Sequence, residues 1–506
     1  MSERYKGGKL RDKNREFHAE QSVPGREKKR SRCPVSSKCG GCTMIDVPYA
    51  EQAAGKQEQV ATLLSKFGPV QDIIRMKNPD HYRNKVTAIF GTDRRGHVVC
   101  GTYRAGSREI VPVKSCLIED PKASRIIQTI LRLLPDLRIR VYDPRTDEGT
   151  LRYVQVRTAR TTGQVLVTVV TRDALFTAGK HLVRALTKEH PEITTIVQNV
   201  NERTDAMILG EREKILYGPG YVEDVLCGRR FRISSQSFYQ VNPIQTEKLY
   251  NIAVDCAGLS GKERVLDTYC GIGTIGILAA AHAKEVTGVE QNERAVEDAC
   301  VNAAQNGLKN ISFEAEDATA FMEELAEEAQ EQGAGAVDVL FMDPPRSGAT
   351  EAFLKAAQKL APKKIVYVSC DPVTLARNLD YLTQHGYRMK KAVPVDMFPY
   401  TQHIETVCLL SKLSEAKHHI SVQVDMEELD VTAAESKATY EEIQEWVQEK
   451  YGFHVSHLNI AKTKRKCGII ERQNYNLPKS EDSRSPETPK EKEEAIVAAF
   501  KAFQMI

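Results

Sequence analysis

Long apolar runs are missing from this sequence. No stretch of 18 consecutive apolar residues occurs in its 506 residues, which argues against a helical membrane protein. The N-terminus lacks the basic, apolar and small-residue zones of a secretory signal. Cysteine is sparse, with twelve in 506 residues. That density is too low for a disulfide scaffold and suits metal binding or catalysis in a reducing compartment. A large charge imbalance is also missing, since 71 Lys and Arg face 68 Asp and Glu for a net +3, and no repeat of fixed period occurs. What remains is a globular chain of ordinary make-up, 41% hydrophobic and 27% charged, long enough for two to four domains. Its expected location is the cytoplasm, with no membrane association and no obligate protein partner.

The small net charge hides a local excess. Residues 1–32 carry eleven Lys and Arg against five Asp and Glu, either a basic arm for phosphate backbones or a solvated tail. A cysteine cluster at 33–42 and a predicted helix over 49–66 follow. From about 82 to 233, short alternating runs such as "YVQVRTA" and "QVLVTVVT" predict a mostly antiparallel sheet, with one helical interruption at 180–190. From about 236 to 412 strands and helices alternate, which predicts an open parallel sheet covered on both faces. Ligands of such sheets lie beyond the carboxyl ends of the strands. The final segment, 413–506, holds "TYEEIQEWVQEKYG" and the basic "VSHLNIAKTKRKCG". This pair has helix-turn-helix proportions, and the segment is either a small nucleic-acid-binding appendage or a set of solvated helices. The expected divisions are therefore 1–32, 33–235, 236–412 and 413–506.

The stretch "VLDTYCGIGTIGILAA" reads as a strand, a glycine-rich turn and a helix start. Gly271 and Gly273 allow close approach of a ligand to the backbone. The third glycine of a dinucleotide fingerprint is absent. Instead Asp267, Glu290 and Asp317 stand at or near the ends of successive strands. Glu290 is placed to accept hydrogen bonds from ribose hydroxyls and Asp317 to face an adenine amino group. The ordered set favours an adenosine ligand without a pyrophosphate, which is S-adenosylmethionine.

Three further strand ends carry chemistry. "FMDPPRSG" supplies Asp343, and the aromatic residue usual after Asp-Pro-Pro in amino-methylating enzymes is missing, with Arg346 in its place. "VYVSCDP" places Cys370 at a strand tip, and "TQHIETV" places His403 and Glu405 at the start of the last strand. A methyl donor, a thiol and a carboxylate match one reaction type. A thiolate adding to uracil C6 makes C5 nucleophilic enough to take a methyl group, and a base then removes the C5 proton. Helix N-terminal amides after Pro372 are a candidate source of thiol activation. The alternative for Cys370 is a buried strand thiol, the reading that fits Cys256, Cys270, Cys300 and Cys408.

Together "SFYQVNP", "DTYCGIGT", "GVEQN", "DPPRSG", "VSCDP" and "HIETV" resemble the RNA uracil-5 methyltransferases that form 5-methyluridine, and among them the iron–sulfur 23S rRNA branch. The likeness covers about 33 to 412. It implies a Rossmann-like α/β methyltransferase domain, preceded by a mostly antiparallel β RNA-binding domain with an iron–sulfur cluster and followed by a small helical appendage. It implies cofactor contacts from Gln240, Tyr269, Thr274, Glu290, Asp317 and Asp343, with Cys370 as nucleophile and Glu405 as base. The spacing of Cys33, Cys39, Cys42 and Cys116 by itself suits zinc or a cluster, and the resemblance favours [4Fe–4S]. The small RNA-binding barrel that begins many family members is missing before Cys33. The expected activity is methylation of uracil C5 in 23S rRNA. The same reaction on the tRNA T-loop and a non-catalytic iron–sulfur RNA-binding protein are the alternatives.

Overall fold

The computed structural model describes residues 31–413 apart from 94, 206 and 333–336, and residues 439–467 and 488–503. Most of the basic arm lies outside the described residues. The chain divides into two compact units, Met1–Glu415 and Ala416–Ile506. No helix among the described residues is long and apolar enough to cross a membrane.

The first unit opens with helix α1 (Tyr49–Leu64), then strands β1 (Lys85–Thr92), β2 (Val98–Tyr103) and β3 (Ile110–Pro112). Helix α2 (Pro121–Leu133) follows, then β4 (Leu151–Thr158), β5 (Val165–Thr171), α3 (Gly179–Glu189), β6 (Ile193–Val200) and β7 (Arg212–Tyr217). These strands form one sheet in the order β3-β2-β1-β4-β5-β6-β7. Every pairing is antiparallel except β5 with β6, which are parallel and linked through α3.

Helix α2 is a second helical interruption beside the expected one. Asp120 caps it, with its side chain accepting from Lys122 N, and Pro121 sits in the first turn. Such a cap contributes about 1 kcal/mol. Ile126, Ile127 and Ile130 then fall on one face and are buried against Val86, Val154 and Val156 of the sheet. Each contributes roughly 1.5–3 kcal/mol relative to exposure.

A hairpin, β8 (Tyr221–Leu226) and β9 (Arg229–Ser234), leads to α4 (Pro243–Ala257). The alternating half then runs β10 (Arg264–Thr268), α5 (Thr274–Ala280), β11 (Glu285–Glu290), α6 (Glu293–Gln305), β12 (Ile311–Ala315), α7 (Ala318–Gln332) and β13 (Val339–Met342). It ends with α8 (Glu351–Leu360), β14 (Lys364–Ser369), α9 (Pro372–Gln384), β15 (Tyr387–Val395) and β16 (Glu405–Lys412). The sheet order is β12-β11-β10-β13-β14-β16-β15. Helices α4, α5 and α6 pack on one face and α1, α7, α8 and α9 on the other.

Strands β10 to β14 pair in parallel, and β16, inserted between β14 and β15, runs antiparallel to both. The expectation of a parallel sheet is thus corrected at one strand, β16. The reversal has a use. It brings the start of β16, where Glu405 stands, to the end of β14, where Ser369 pairs with Thr406. Chain order reverses direction between β10 and β13, and that is the place where open α/β sheets bind ligands.

In the second unit, α10 (Tyr440–Tyr451), α11 (His457–Lys466) and α12 (Lys490–Ala502) share a core of Ile443, Val447, Ile460, Ile496 and Phe500. A capping box between Thr439 and Glu442 starts α10.

Candidate active site

The turn between β10 and α5 is built by unusual backbone. Tyr269 has φ 62° and Gly271 φ 55°, both left-handed. A non-glycine residue held there stores strain of the kind that collects at functional sites. A Cβ on Gly271 would meet nothing within 4 Å, so the space above it is open. Its N–H donates to Glu290 Oε2 at 3.2 Å, while Glu290 Oε1 accepts from Asn292 N at 2.9 Å. Glu290, the last residue of β11, therefore stands on the rim of the turn.

The cleft over this turn is narrow, and Gln240, Tyr250, Tyr269, Gly271, Thr274 and Asp343 line it. Four of the six expected cofactor contacts are thus brought together. Tyr250, in α4, had no signal in the sequence beyond that of a core aromatic. Its hydroxyl bonds to Thr274 and Gln240, and burial pushes its pKa upward. Gln240 belongs to the irregular stretch before α4, whose Asn242 caps the helix by accepting from Gln245 N.

The other acids behave differently. Asp267 is 1% exposed and turns beneath the loop, where its Oδ2 accepts from Gly276 N at 2.7 Å. It braces the turn rather than facing the cleft. Burial pushes its carboxyl up to about 8. Asp317 is exposed and caps α7, with Oδ1 accepting from Thr319 N at 2.9 Å and Ala320 N at 3.1 Å.

Asp343, Cys370 and Glu405 stand at the ends of adjacent strands β13, β14 and β16. Burial and then the neighbouring Asp343 carboxyl push Glu405 well above its usual range, and burial pushes Asp343 up as well. Burial, Glu405 and Asp343 push the Cys370 thiol up to about 11, and the Arg346 guanidinium pulls it down. Arg346 pulls on Glu405 in the same direction. The amides after Pro372 are not the activating group, because Asp371 Oδ1 caps them at Val373 N and Thr374 N. Arg346 is the cation of this site, a role that its place after Asp-Pro-Pro did not disclose.

Two supports fix these strand ends. Asn378 of α9 accepts from Ala349 N at 3.0 Å and donates to Ala349 O at 3.2 Å, and Arg377 donates to Ser347 O at 2.6 Å. On the other side Lys56 of α1 forms a buried ion pair with Asp396 at 2.6 Å and donates to Phe398 O at 3.0 Å. This pins the approach to β16, and removing one partner of such a pair costs about 3–5 kcal/mol. Phe238 is 61% exposed beside the cleft.

Of the four candidate metal ligands Cys116 is far from the others in sequence, yet Cys33, Cys42 and Cys116 pack around one small core with Ile45, Met76 and Tyr82. None is in a disulfide. Burial, then the neighbouring Cys116, Cys39 and Cys33, push the Cys42 thiol up to about 12. Gly41 N–H points at Cys39 Sγ at 3.3 Å. Among the described residues no group of three or more His, Cys, Asp or Glu side chains is arranged to hold a metal ion.

A family model described as tRNA (Uracil-5-)-methyltransferase matches residues 48–413. A protein of Clostridium acetobutylicum, named an uncharacterized RNA methyltransferase, is 39% identical over 425 residues, covering 81% of this chain and 91% of its own length. One of Listeria innocua with the same description is 41% identical over 393 residues, 77% of this chain and 85% of its own. Among solved structures, the Pyrococcus abyssi tRNA (uracil-54, C5)-methyltransferase in complex with S-adenosyl-L-homocysteine superposes with TM-score 0.61 and 26% identity. That match covers 73% of this chain and 86% of the other.

Proposed function

The chain belongs to the tRNA (uracil-5-)-methyltransferase family, and on that footing we propose that it methylates C5 of a uracil in 23S rRNA through a covalent Cys370–C6 bond. The observation that carries the reading is the meeting of Cys370, Glu405, Asp343 and Arg346 beside a glycine turn with open space above it. A four-part chain, with an RNA-binding β domain before the catalytic half and an appendage after it, is part of the same reading.

The residues suit a nucleoside sulfonium. Gln240, Tyr269, Thr274 and Asp343 line the cleft, and Glu290 and Asp317 stand on neighbouring strand ends, so these six would hold it. When bound, S-adenosylmethionine supplies an electrophilic methyl group and a positive charge. The rest of the chemistry is the protein's own. Cys370 sulfur adds to uracil C6, and the C5=C6 electron pair moves onto C5, which takes up the methyl group while the pair of the broken S–CH3 bond stays on the donor sulfur. Arg346 stabilises the thiolate. Glu405, ionised, removes the C5 proton; the released pair re-forms the double bond and expels the Cys370 sulfur.

What favours ribosomal RNA is the cysteine set. Three unbridged thiols, Cys33, Cys42 and Cys116, share one small core and Cys39 neighbours Cys42; with Cys39 they are the residues that would hold a [4Fe–4S] cluster, although as they stand they are not arranged around a single metal ion. A tetrahedral zinc would draw its four sulfurs within about 4 Å of one another at Zn–S distances near 2.3 Å. A cluster spreads them over four irons. The cluster would brace the segment that carries these residues.

Purified 23S rRNA and tRNA, assayed side by side with the wild type, test the substrate. 5-Methyluridine is expected in the rRNA, and methylation confined to tRNA refutes that choice. Cys370→Ala is expected to bind cofactor and lose methyl transfer by at least about 10^4-fold. Undiminished transfer excludes the covalent route.

A further inference from the structure

A second concavity lies in the β-rich half, away from the cleft. It holds about 430 Å3 and is lined by residues of the 114–116 segment, of α2 and of the α3 C-terminus, with His81 at its edge. That volume falls within the range of small-ligand sites, about 300–1,000 Å3. Of the four candidate cluster cysteines only Cys116 reaches it, so it is not the space between the thiols.

Its rim is cationic. Lys114 and Arg125 are exposed and form no ion pair among the described residues. The acid in the wall, Glu189, is already taken by Arg132 and Thr129. The floor is polar and ordered. His190 is 7% exposed, and its Nε2 lies 2.9 Å from Thr129 Oγ1. Gln128 donates through Nε2 to Val113 O at 3.1 Å, which leaves its Oε1 as an acceptor. His81 is held in a left-handed conformation, φ 55°, by N–H donation to Leu117 O at 2.7 Å. Its Nδ1 lies 2.8 Å from Glu119 O, so Nδ1 carries the proton and Nε2 is an acceptor on an exposed ring.

The pocket is joined to the catalytic cleft by three residues. His81 edges the pocket, while Asn84 N donates to Val241 O at 2.8 Å and Asn84 Nδ2 to Gln240 O at 3.3 Å. The strand residues beside Asn84 are basic. Lys85 pairs in register with Arg157, and burial, Arg157 and Arg83 together pull the Lys85 ammonium down to about 8. Arg157 is 1% exposed, and its Nε and Nη1 have no hydrogen-bond partner.

We propose that this pocket takes one extruded nucleotide of the substrate RNA, with its phosphate on Lys114 and Arg125 and its ribose and base against His81, Gln128 and His190. A phosphate suits the unpaired cations, a ribose 2′-hydroxyl suits the His81 acceptor, and an unstacked base suits a walled cavity of this size. The inference rests on the RNA-methylating reading, and deepens it by fixing where a nucleotide near the target is held.

The test uses the full chain and a short uridine RNA that the wild type methylates. Abasic sites are placed singly at successive positions around the target, and affinity is read in wild type, in Ser124→Phe, which fills the pocket, and in Lys114→Ala/Arg125→Ala. One abasic position is expected to weaken wild-type binding by about tenfold or more and to have no further effect in Ser124→Phe. The double variant is expected to lower the salt slope by about 0.7, one single-strand phosphate contact. Cofactor binding is unchanged in each. Equal affinity of Ser124→Phe and wild type for every RNA overturns the pocket. So does a double variant with a reduced slope when no abasic position weakens wild-type binding, which marks a phosphate track alone. If the wild type methylates no uridine RNA, the functional reading fails instead, and the two failures are distinguishable.

Discussion

A thiol at about 11 is ionised, at neutral pH, in on the order of one molecule in ten thousand. Cys370 is therefore a poor nucleophile even with the Arg346 guanidinium pulling its thiol down, and without that charge it would stand higher still. Arg346→Gln is expected to move the alkaline-rising limb of the single-turnover pH profile upward. Near neutral pH the rate falls about tenfold for each unit moved. An unshifted limb would show that Arg346 does not act through the thiol. Glu405→Gln separates the second half of the reaction: methyl transfer to C5 is expected to proceed, but the C5 proton stays. The RNA then remains bonded to Cys370 and migrates with the protein on a denaturing gel. Cys370 and Glu405 were legible because strand-end residues of reactive type in a fixed order stand out. Arg346 was not, since a cation in a loop looks like any solvated arginine until the neighbouring strand end is brought to it. Tyr250 was hidden for the same reason, a buried helical aromatic being core by default.

Turns decide how these strand ends face one another. Gly348, φ 76°, lets the Asp-Pro-Pro loop lie against α9, because a Cβ there would meet Asn378 Oδ1 at 2.6 Å and Arg377 Nη2 at 2.7 Å. Gly348→Ala is expected to destabilise by about 1–3 kcal/mol and to lower kcat more than cofactor affinity, measured by urea unfolding and single-turnover kinetics. Asp267 acts at the other turn. Its carboxyl is raised by burial from 3.8 to about 8, so the folded state binds a proton that the unfolded chain has released. That contribution is complete below about pH 4 and is lost as pH rises toward 8. The stability of wild type should thus fall between pH 5 and 8 relative to Asp267→Asn, read as urea midpoints at both pH values; parallel midpoints would refute a neutral buried carboxyl. At this level the sequence reading missed α2 and β15. The run "SRIIQTILRLL" has helical spacing behind an Asp-Pro cap, but alternating strands on either side mask it. In β15, Pro394 and three basic residues are unusual for a strand and are tolerated toward the edge of a sheet.

Across the whole molecule, the cysteines and the second unit carry the remaining predictions. Cys42→Ala is expected to reduce iron and acid-labile sulfide per chain below half of wild type, with lower thermal stability; wild-type iron content would exclude Cys42 as a ligand. Residues 1–415 are expected to fold and bind cofactor alone, because both large cores lie wholly within that unit; loss of the cooperative melt would show otherwise. The alternation of strands and helices, the glycine turn, and the order of Asp343, Cys370 and Glu405 are properties of the chain read in one dimension, since local propensity and motif spacing need no partner to be visible. The direction of β16, the turning of Asp267 beneath its loop, and the pocket between α2 and α3 exist only through contacts between residues tens to hundreds of positions apart. So does the meeting of Arg346 with Cys370. Burial and charge act over a few ångströms of space, and only the folded chain sets which groups share them.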